Sequence, residues 1–440
     1  MTRERKPAAL YVAACDLNGV WRGKRLAMSQ LEKAQGGEVR LPLSILSVDI
    51  WGGDVVANAL ADGDADGLTQ PTGRGLLPIL ATQHPSRLLP VWLYREEGGA
   101  YSADPRQALA RIVEDFHAEG LTPVIATELE FYLVESHPNQ LPIPPVNPHN
   151  GQRLIKTDVL SISELCAFDG FLDEVYAQCE AMDIPADSAI AENGCGQFEI
   201  NLLHCDDPLK AADDALLFKY IVKAAAKRHG FTATFMAKPF AEQSGSGFHI
   251  HCSVLDKDGN NIFDDGSDEG TDALRHAVAG LIDSMDDCML VFAPHFNSYR
   301  RLMPGTHAPI AATWGYENRT TAVRIPGGSP KARRIEHRVA GADANPYLVC
   351  AAVLGGMLRG LRHKSEPPLA VDGCAYDDDE VAYLPTTWQA AADAFEYSDV
   401  ARDIFSPLLV DLYAAVKRQE MTHFSHQISQ FEYDTYLEDA

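Results

Sequence analysis

The sequence lacks basic clusters. Across 440 residues lysine and arginine never gather more tightly than three in four positions, as in KARR at 331–334, and the formal net charge is −25. Binding a phosphate backbone needs a basic stripe, so nucleic acid is excluded as a partner. No apolar run is long enough to span a bilayer, which also argues against a membrane partner. The nine cysteines are odd in number and never fall as C-x-x-C, so neither a disulfide framework nor a zinc ribbon is indicated, and reduced thiols in the cytoplasm are expected. The amino end, MTRERKPAALYVAACDLNG, places an acid among its bases ahead of only a short apolar run, and is not expected to act as a secretory signal. Neither G-x-x-x-x-G-K-[ST] nor a strand–G-x-G-x-x-G–helix unit occurs, so a bound nucleotide would be held by neither a P-loop nor a Rossmann turn. No internal repeat is found.

What is present is an ordinary globular composition, with 46% apolar and 22% charged residues. The first hundred residues show short β-like runs (ALYVAACDLNG, VRLPLSILSVDIWGGD, LLPVWLY) and a helix at about 25–36, which predicts a small sheet-rich domain over 1–103. The texture changes at ADPRQALARIVEDFHAEG. Asp104 suits an N-cap, Pro105 the first helical position and Gly120 the stop. A second helix is marked from Asp207–Pro208 to Gly230, with others expected near 162–182, 271–292, 345–361, 386–397 and 401–418. The proline-rich segment 137–149 reads as a surface loop, and YDDDE at 376–380 as a solvated turn.

Several strands carry a polar face too costly to be incidental. In QSGSGFHIHCSV, residues His249, His251 and Ser253 share one face of a strand while Ile250, Cys252 and Val254 share the other. Taken alone, such a pair more often serves as hydrogen-bonded core or surface histidine than as a metal ligand. The pattern recurs, however. TELEFYLV puts Glu128, Glu130 and Tyr132 on one side, QFEINLL puts Glu199 and Asn201 together with Glu192 seven residues before Glu199, and RRIEHRV aligns Arg334, Glu336 and Arg338. A sheet joining these segments gathers five carboxylates, two imidazoles and several guanidinium groups. Like charges a few ångström apart repel by roughly 4 kcal/mol per pair at an effective dielectric near 20, so the acids need divalent cations or must bind protons. Carboxylates with imidazole and no thiolate suit Mg²⁺ or Mn²⁺. From 298 onward arginines accumulate among glycine and proline turns, and a guanidinium fork matches both carboxylate and phosphate.

The stretches TELEFYL, ENGCGQFEIN, FMAKPFAEQSGSGFHIH, NSYRRLMPG, ENRTTAVRIP and SPKARRIEHRVAGADANPYL resemble the glutamine synthetase family, class I-like, over nearly the whole chain. The resemblance implies an α+β fold: a small β-grasp-like amino-terminal domain (1–103), then a larger catalytic domain (104–440) with a curved antiparallel sheet and flanking helices. It implies one metal site at Glu130, Glu192 and Glu199 and another at Glu128, His249 and Glu336. His251, Ser253, Lys331 and Arg334 match residues on the nucleotide side. Arg301 and Arg338 match those holding the glutamate carboxylates, with Gly245 and Glu130 beside the substrate. Arg319 and Arg324 match arginines facing the transferred phosphoryl group, and PGTHAP, with His307, matches the flap. ATP and two or three Mg²⁺ or Mn²⁺ ions per site are implied. So is a homo-oligomer, a dodecamer of two stacked hexameric rings with active sites between neighbours, in which Asp49, Trp51, Asp54 or Asp64–Asp66 line the adjoining amine pocket.

The chain departs from the pattern where ammonia would be handled. His307 stands where the family has a flap glutamate, LPLSILSVD replaces an aspartate–glycine–serine turn, and Ser244 replaces an asparagine. Without the two acids a small cation loses its anionic partners, whereas a neutral imidazole can take a proton from an amine. The wording is most similar to γ-glutamylpolyamine synthetase and related glutamate–amine ligases of polyamine and nitrogen metabolism. The expected reaction joins the glutamate γ-carboxylate to a polyamine or monoamine through a γ-glutamyl phosphate. The alternatives are an authentic glutamine synthetase using ammonia and a non-catalytic relative.

Overall fold

The computed structural model describes residues 7–55, 63–80, 82, 84–138, 140–306, 308–377 and 382–440. It is an α+β structure built on two sheets. The first has six strands, in the order Trp21–Leu26, Leu10–Cys15, Arg87–Tyr94, Asp66–Pro71, Arg40–Pro42, with Leu77–Pro78 also paired to Arg87–Tyr94. Leu10–Cys15 and Arg87–Tyr94 run parallel and the other pairs antiparallel. The predicted helix at 25–36 is present from Met28 to Gln35 and starts late. Trp21–Leu26 forms an edge strand, and helical backbone runs through Met28–Gln30 and Leu31–Gln35, ended by the glycines at 36 and 37. Pairing with Leu10–Cys15 overrides helical periodicity at Arg25 and Leu26.

The second sheet positions the site. Its eight strands run Trp314–Tyr316, Val323–Ile325, Ile335–His337, Phe248–Leu255, Thr122–Val134, Gln197–Cys205, Ala186–Ala191, with Thr232–Thr234 added to Thr122–Val134. Helices cover one face. Phe131 of the central strand meets Phe171, Phe198, Phe218 and Phe235 there, with ring centroids 5.5–6.3 Å apart. Period-two alternation therefore forces Glu128 and Glu130 onto the opposite, open face.

The helices Pro105–Ala118, Pro208–Arg228 and Pro346–His363 each begin with proline after a side-chain cap, from Asp104, Asp207 and Asn345 respectively. Asp272–Ser284 packs on Pro346–His363 at glycines. A Cβ on Gly360 would sit 1.9 Å from the His276 carbonyl oxygen, so only glycine permits this backbone approach. The run expected at 271–292 breaks after Ser284 and resumes at Met289–Phe292. That at 401–418 divides into Asp399–Phe405 and Pro407–Ser425, because Pro407 starts a new helix and Ser406 takes a left-handed φ of 93°. Among the described residues no helix is long and apolar enough to cross a membrane. Part of the 376–380 turn lies outside the described residues.

The two sheets share one continuous core. Polar locks join them: Asn345 donates to the Asp16 carbonyl at 2.9 Å, Arg74 pairs with Asp214 at 2.6 Å, and Glu420 accepts from the Ile50 N–H at 2.8 Å.

Candidate active site

Register decides which polar groups meet. On the open face of the second sheet, Glu128 lies opposite both His249 and Asn201, Glu130 lies opposite Glu199, and Glu336 lies opposite His251 and Arg324. The His249 ring nitrogens lie 3.2 Å from Glu128, 3.9 Å from Glu336 and 4.0 Å from Glu130. Two sets of three donors converge, with all ligand atoms of a set within 4.8 Å: Glu128, His249 and Glu336, and Glu130, Glu199 and His249. A neutral imidazole has one free lone pair, so His249 can complete only one set at a time. Glu192 belongs to neither set, although it lines the same cavity.

The electrostatics show what the cluster needs. Burial, then Glu128, Glu130, Glu192 and Glu336, push the Glu199 carboxyl up to about 10, and burial with Glu130 pushes Glu192 up to about 7. Such groups either hold protons or receive cations. Burial opposes ionisation of Glu128 as well, but hydrogen bonds from His249 and His251 outweigh it and hold that carboxyl well below the usual range. Glu336, despite burial, is drawn down to about 2 by Arg338 and the two histidines. Oxygen donors with one imidazole, gathered around protons that a divalent ion would displace, fit Mg²⁺ or Mn²⁺.

Each donor is oriented from behind. Glu130 accepts from the Gly247 N–H at 2.8 Å and from the Gln197 carboxamide at 3.2 Å, and that amide also donates to the Gly245 carbonyl at 3.0 Å. His251 Nε2 meets Glu128 at 2.7 Å while Nδ1 accepts from Arg334 at 3.2 Å, which fixes the ring's tautomer. Arg324 donates to Glu336 at 2.7 Å, and Arg338 also pairs with it. The Nε groups of Arg324 and Arg338 are buried without a protein hydrogen-bond partner among the described residues. Arg301 is buried and donates to the carbonyls of Val339 at 2.8 Å and Arg338 at 3.2 Å. It threads between glycines: a Cβ on Gly245 would lie 2.6 Å from its Cγ, and one on Gly247 would lie 2.9 Å from its Nη2.

Two adjoining cavities share Glu128, Asn201, His251 and Arg334. The larger, about 960 Å³, takes in Glu130, Glu192, Glu199, Gly245, His249, Arg301, Arg319, Arg324, Glu336 and Arg338. The smaller, about 480 Å³, takes in Ser253 and Lys331. A single polar cleft thus holds paired carboxylate donor sets, guanidinium groups and a second chamber. The family described as glutamine synthetase, catalytic domain, matches residues 102–436. The chain belongs to the glutamine synthetase family.

Within this family the chain is similar to proteins with different named activities. It is 38% identical to gamma-glutamylputrescine synthetase PuuA of Escherichia coli (strain K12), over 99% of this chain and 93% of that protein. It is 32% identical to glutamate–isopropylamine ligase of a Pseudomonas species, over 98% and 95%. With glutamine synthetase of Pyrococcus abyssi the identity is 31%, over 91% and 87%. A solved structure titled GmaS/ADP complex superposes with a TM-score of 0.84 at 28% identity, over 99% of this chain and 98% of that one.

The metal-, nucleotide-, glutamate- and phosphoryl-side residues expected from the sequence line the two chambers of this glutamine synthetase family member; His307 lies outside the described residues, and Asp49, Trp51, Asp54 and Asp64–Asp66 line neither chamber. Arg333, the third residue of KARR, also borders the smaller chamber, but its guanidinium donates to the carbonyls of Ser267 and Asp268. Gln197 and Ser244 were not expected in supporting roles. Gln197 shares the parity of Glu199 and Asn201, a signal the alternation already carried. The Tyr132 hydroxyl donates to the Ser244 carbonyl at 2.6 Å, fixing the loop before Gly245. Asp49 shapes its own loop, accepting from Trp51 at 3.1 Å, Gly53 at 2.8 Å and Gln419 at 2.8 Å, while Trp51 stays exposed.

Proposed function

We propose that the protein is an ATP-dependent glutamate–amine ligase. The observation that carries this reading is the convergence, on one sheet face, of two carboxylate donor sets with buried Arg301 and Arg338, next to a chamber lined by His251, Ser253, Lys331 and Arg334. Arg301 and Arg338, with Gly245, hold glutamate, and the second chamber holds the nucleotide. The glutamate γ-carboxylate attacks the terminal phosphorus of ATP and ADP leaves. The amine lone pair then attacks the acyl carbon, phosphate departs with the bonding pair, and the nitrogen gives up a proton. Arg319 and Arg324 meet the negative charge on the phosphoryl oxygens. Glu128, His249 and Glu336, and Glu130, Glu192 and Glu199, would hold Mg²⁺ or Mn²⁺. Such ions, when bound, neutralise phosphate charge and orient its oxygens.

His307 in place of a flap acid supports an organic amine over ammonium, because imidazole accepts a proton without offering a small cation an anionic partner. Kinship with the Pyrococcus abyssi protein supports the second reading, authentic glutamine synthesis. The proposal includes division into an amino-terminal domain over 1–103 and a catalytic domain over 104–440, cytoplasmic residence and a ring-stacked dodecamer. ADP release measured with glutamate, Mg²⁺ and a panel of ammonium, methylamine, isopropylamine, ethanolamine, aniline, putrescine and spermidine separates the readings. An organic amine should drive turnover at concentrations where ammonium does not. Turnover with ammonium alone at low millimolar levels replaces the first reading with the second.

A further inference from the structure

The wall of the larger cavity mixes polar and apolar groups, and its large aliphatic side chains come from one stretch. Val159, Leu160 and Ile190 form an apolar strip alongside Glu192 and Asn193. The sheet places Ile190 there, opposite Glu199 in the pairing of Ala186–Ala191 with Gln197–Cys205. Val159 and Leu160 arrive from the loop before helix Ile162–Ala167, and both stay more than half exposed, at 54% and 62%. Single exposed apolar side chains are ordinary on a surface. The backbone here is not ordinary. Leu160 has a φ of 59°, a left-handed conformation rare for a bulky side chain, and its N–H is tied to the Ala191 carbonyl at 2.8 Å. The leucine is thus held at the cavity wall at a conformational cost that asparagine or glycine would reduce.

This inference rests on the ligase reading above. Under that reading Arg301, Arg338 and Gly245 face glutamate, and His251, Ser253, Lys331 and Arg334 face the nucleotide. The substrate left over is the amine, and of the unassigned wall, which also includes Thr306, Ala308, Glu317 and Pro326, the strip of Val159, Leu160 and Ile190 carries the large apolar side chains a carbon chain would meet. We propose that Val159 and Leu160, backed by Ile190, form the surface that reads the carbon chain of the amine, so that primary amines with an aliphatic chain of several carbons are preferred to ammonium and methylamine. A methylene moved from water onto such a wall is worth about two- to fourfold in affinity.

The test is steady-state ADP release with methylamine, ethylamine, propylamine and butylamine, for the full-length wild type and for Leu160→Asn and Val159→Thr. Asparagine tolerates the left-handed backbone and threonine keeps the shape of valine, so both changes remove apolarity with little strain. Ile155→Asn, at a highly exposed position in the same loop that does not line the cavity, serves as the control. In the wild type, kcat/KM should climb about two- to fourfold per added methylene. Leu160→Asn should flatten that slope and lower kcat/KM for butylamine about tenfold, with KM for glutamate and ATP within about twofold of wild type. Val159→Thr should flatten it less, and the control should keep it. An unchanged slope in both cavity variants overturns the inference while leaving the ligase reading intact. So does a changed oligomeric mass with an unchanged slope, which would make the strip a contact between copies. A wild type that releases no ADP with any amine overturns the ligase reading and this inference together.

Discussion

Replacing Glu199 by glutamine should stabilise the metal-free protein and destabilise the metal-loaded one. Glu199 is buried among Glu128, Glu130, Glu192 and Glu336, and burial plus those charges raise its carboxyl from an ordinary value near 4.5 to about 10. Between those limits the folded state keeps a proton that the unfolded state has released, so stability falls as pH rises. The sign follows from the proton count. Below about 4.5 both states are protonated and there is no cost, the cost grows by about 1.4 kcal/mol per pH unit up to about 10, and it then levels off. At pH 7 the cost comes to about 3 kcal/mol. Glutamine keeps the volume and removes the ionisation. Denaturant unfolding after chelation should therefore find Glu199→Gln more stable than wild type by up to about 3 kcal/mol at pH 7, with the gap closing toward pH 4.5. Adding Mg²⁺ should reverse the order. At a thousand times its dissociation constant the ion adds about 4.1 kcal/mol to the wild type, more than the metal-free gap, and far less to the variant. Parallel stability–pH curves for the two metal-free proteins, or equal stabilisation by Mg²⁺, would refute the reasoning.

Arg301→Lys removes the fork that spans the Val339 and Arg338 carbonyls and should raise KM for glutamate about 10- to 100-fold, with KM for ATP little changed in initial-rate assays. Gly360→Ala drives a methyl into the His276 carbonyl at the contact of two buried helices and should cost about 3 kcal/mol or more in denaturant unfolding, or shift the helix packing visibly in a crystal structure. Asp104→Ala strips acceptors from the N–H groups of Leu93, Arg106 and Gln107 and should cost about 1–3 kcal/mol, measured in the same way.

The open face of the catalytic sheet was legible because parity alone assigns faces. TELEFYLV, QFEINLL, FHIHCSV and RRIEHRV each announce a polar side at period two, and the structure lays these sides together. Register was not legible. Glu128 and His249 are 121 positions apart, and no local pattern states that they pair while Glu130 faces Glu199. For the same reason His249, not Glu192, falls within the tight set around Glu130 and Glu199. Helix starts marked by a capping side chain and proline, at 104–105 and 207–208, were readable because the signal is local. The helix expected at 25–36 starts late because strand pairing claims Arg25 and Leu26, and 401–418 divides because the turn at Ser406–Pro407 interrupts an otherwise continuous apolar stripe. The left-handed backbone at Leu160 has no glycine or asparagine to signal it.

The most direct test of the ligase account follows oxygen. Glutamate carrying ¹⁸O in its γ-carboxylate, turned over with ATP, Mg²⁺ and an organic amine, should pass one labelled oxygen to each inorganic phosphate released, in step with the amide formed. Unlabelled phosphate, or labelled phosphate that accumulates with no amine present and no amide product, would contradict it.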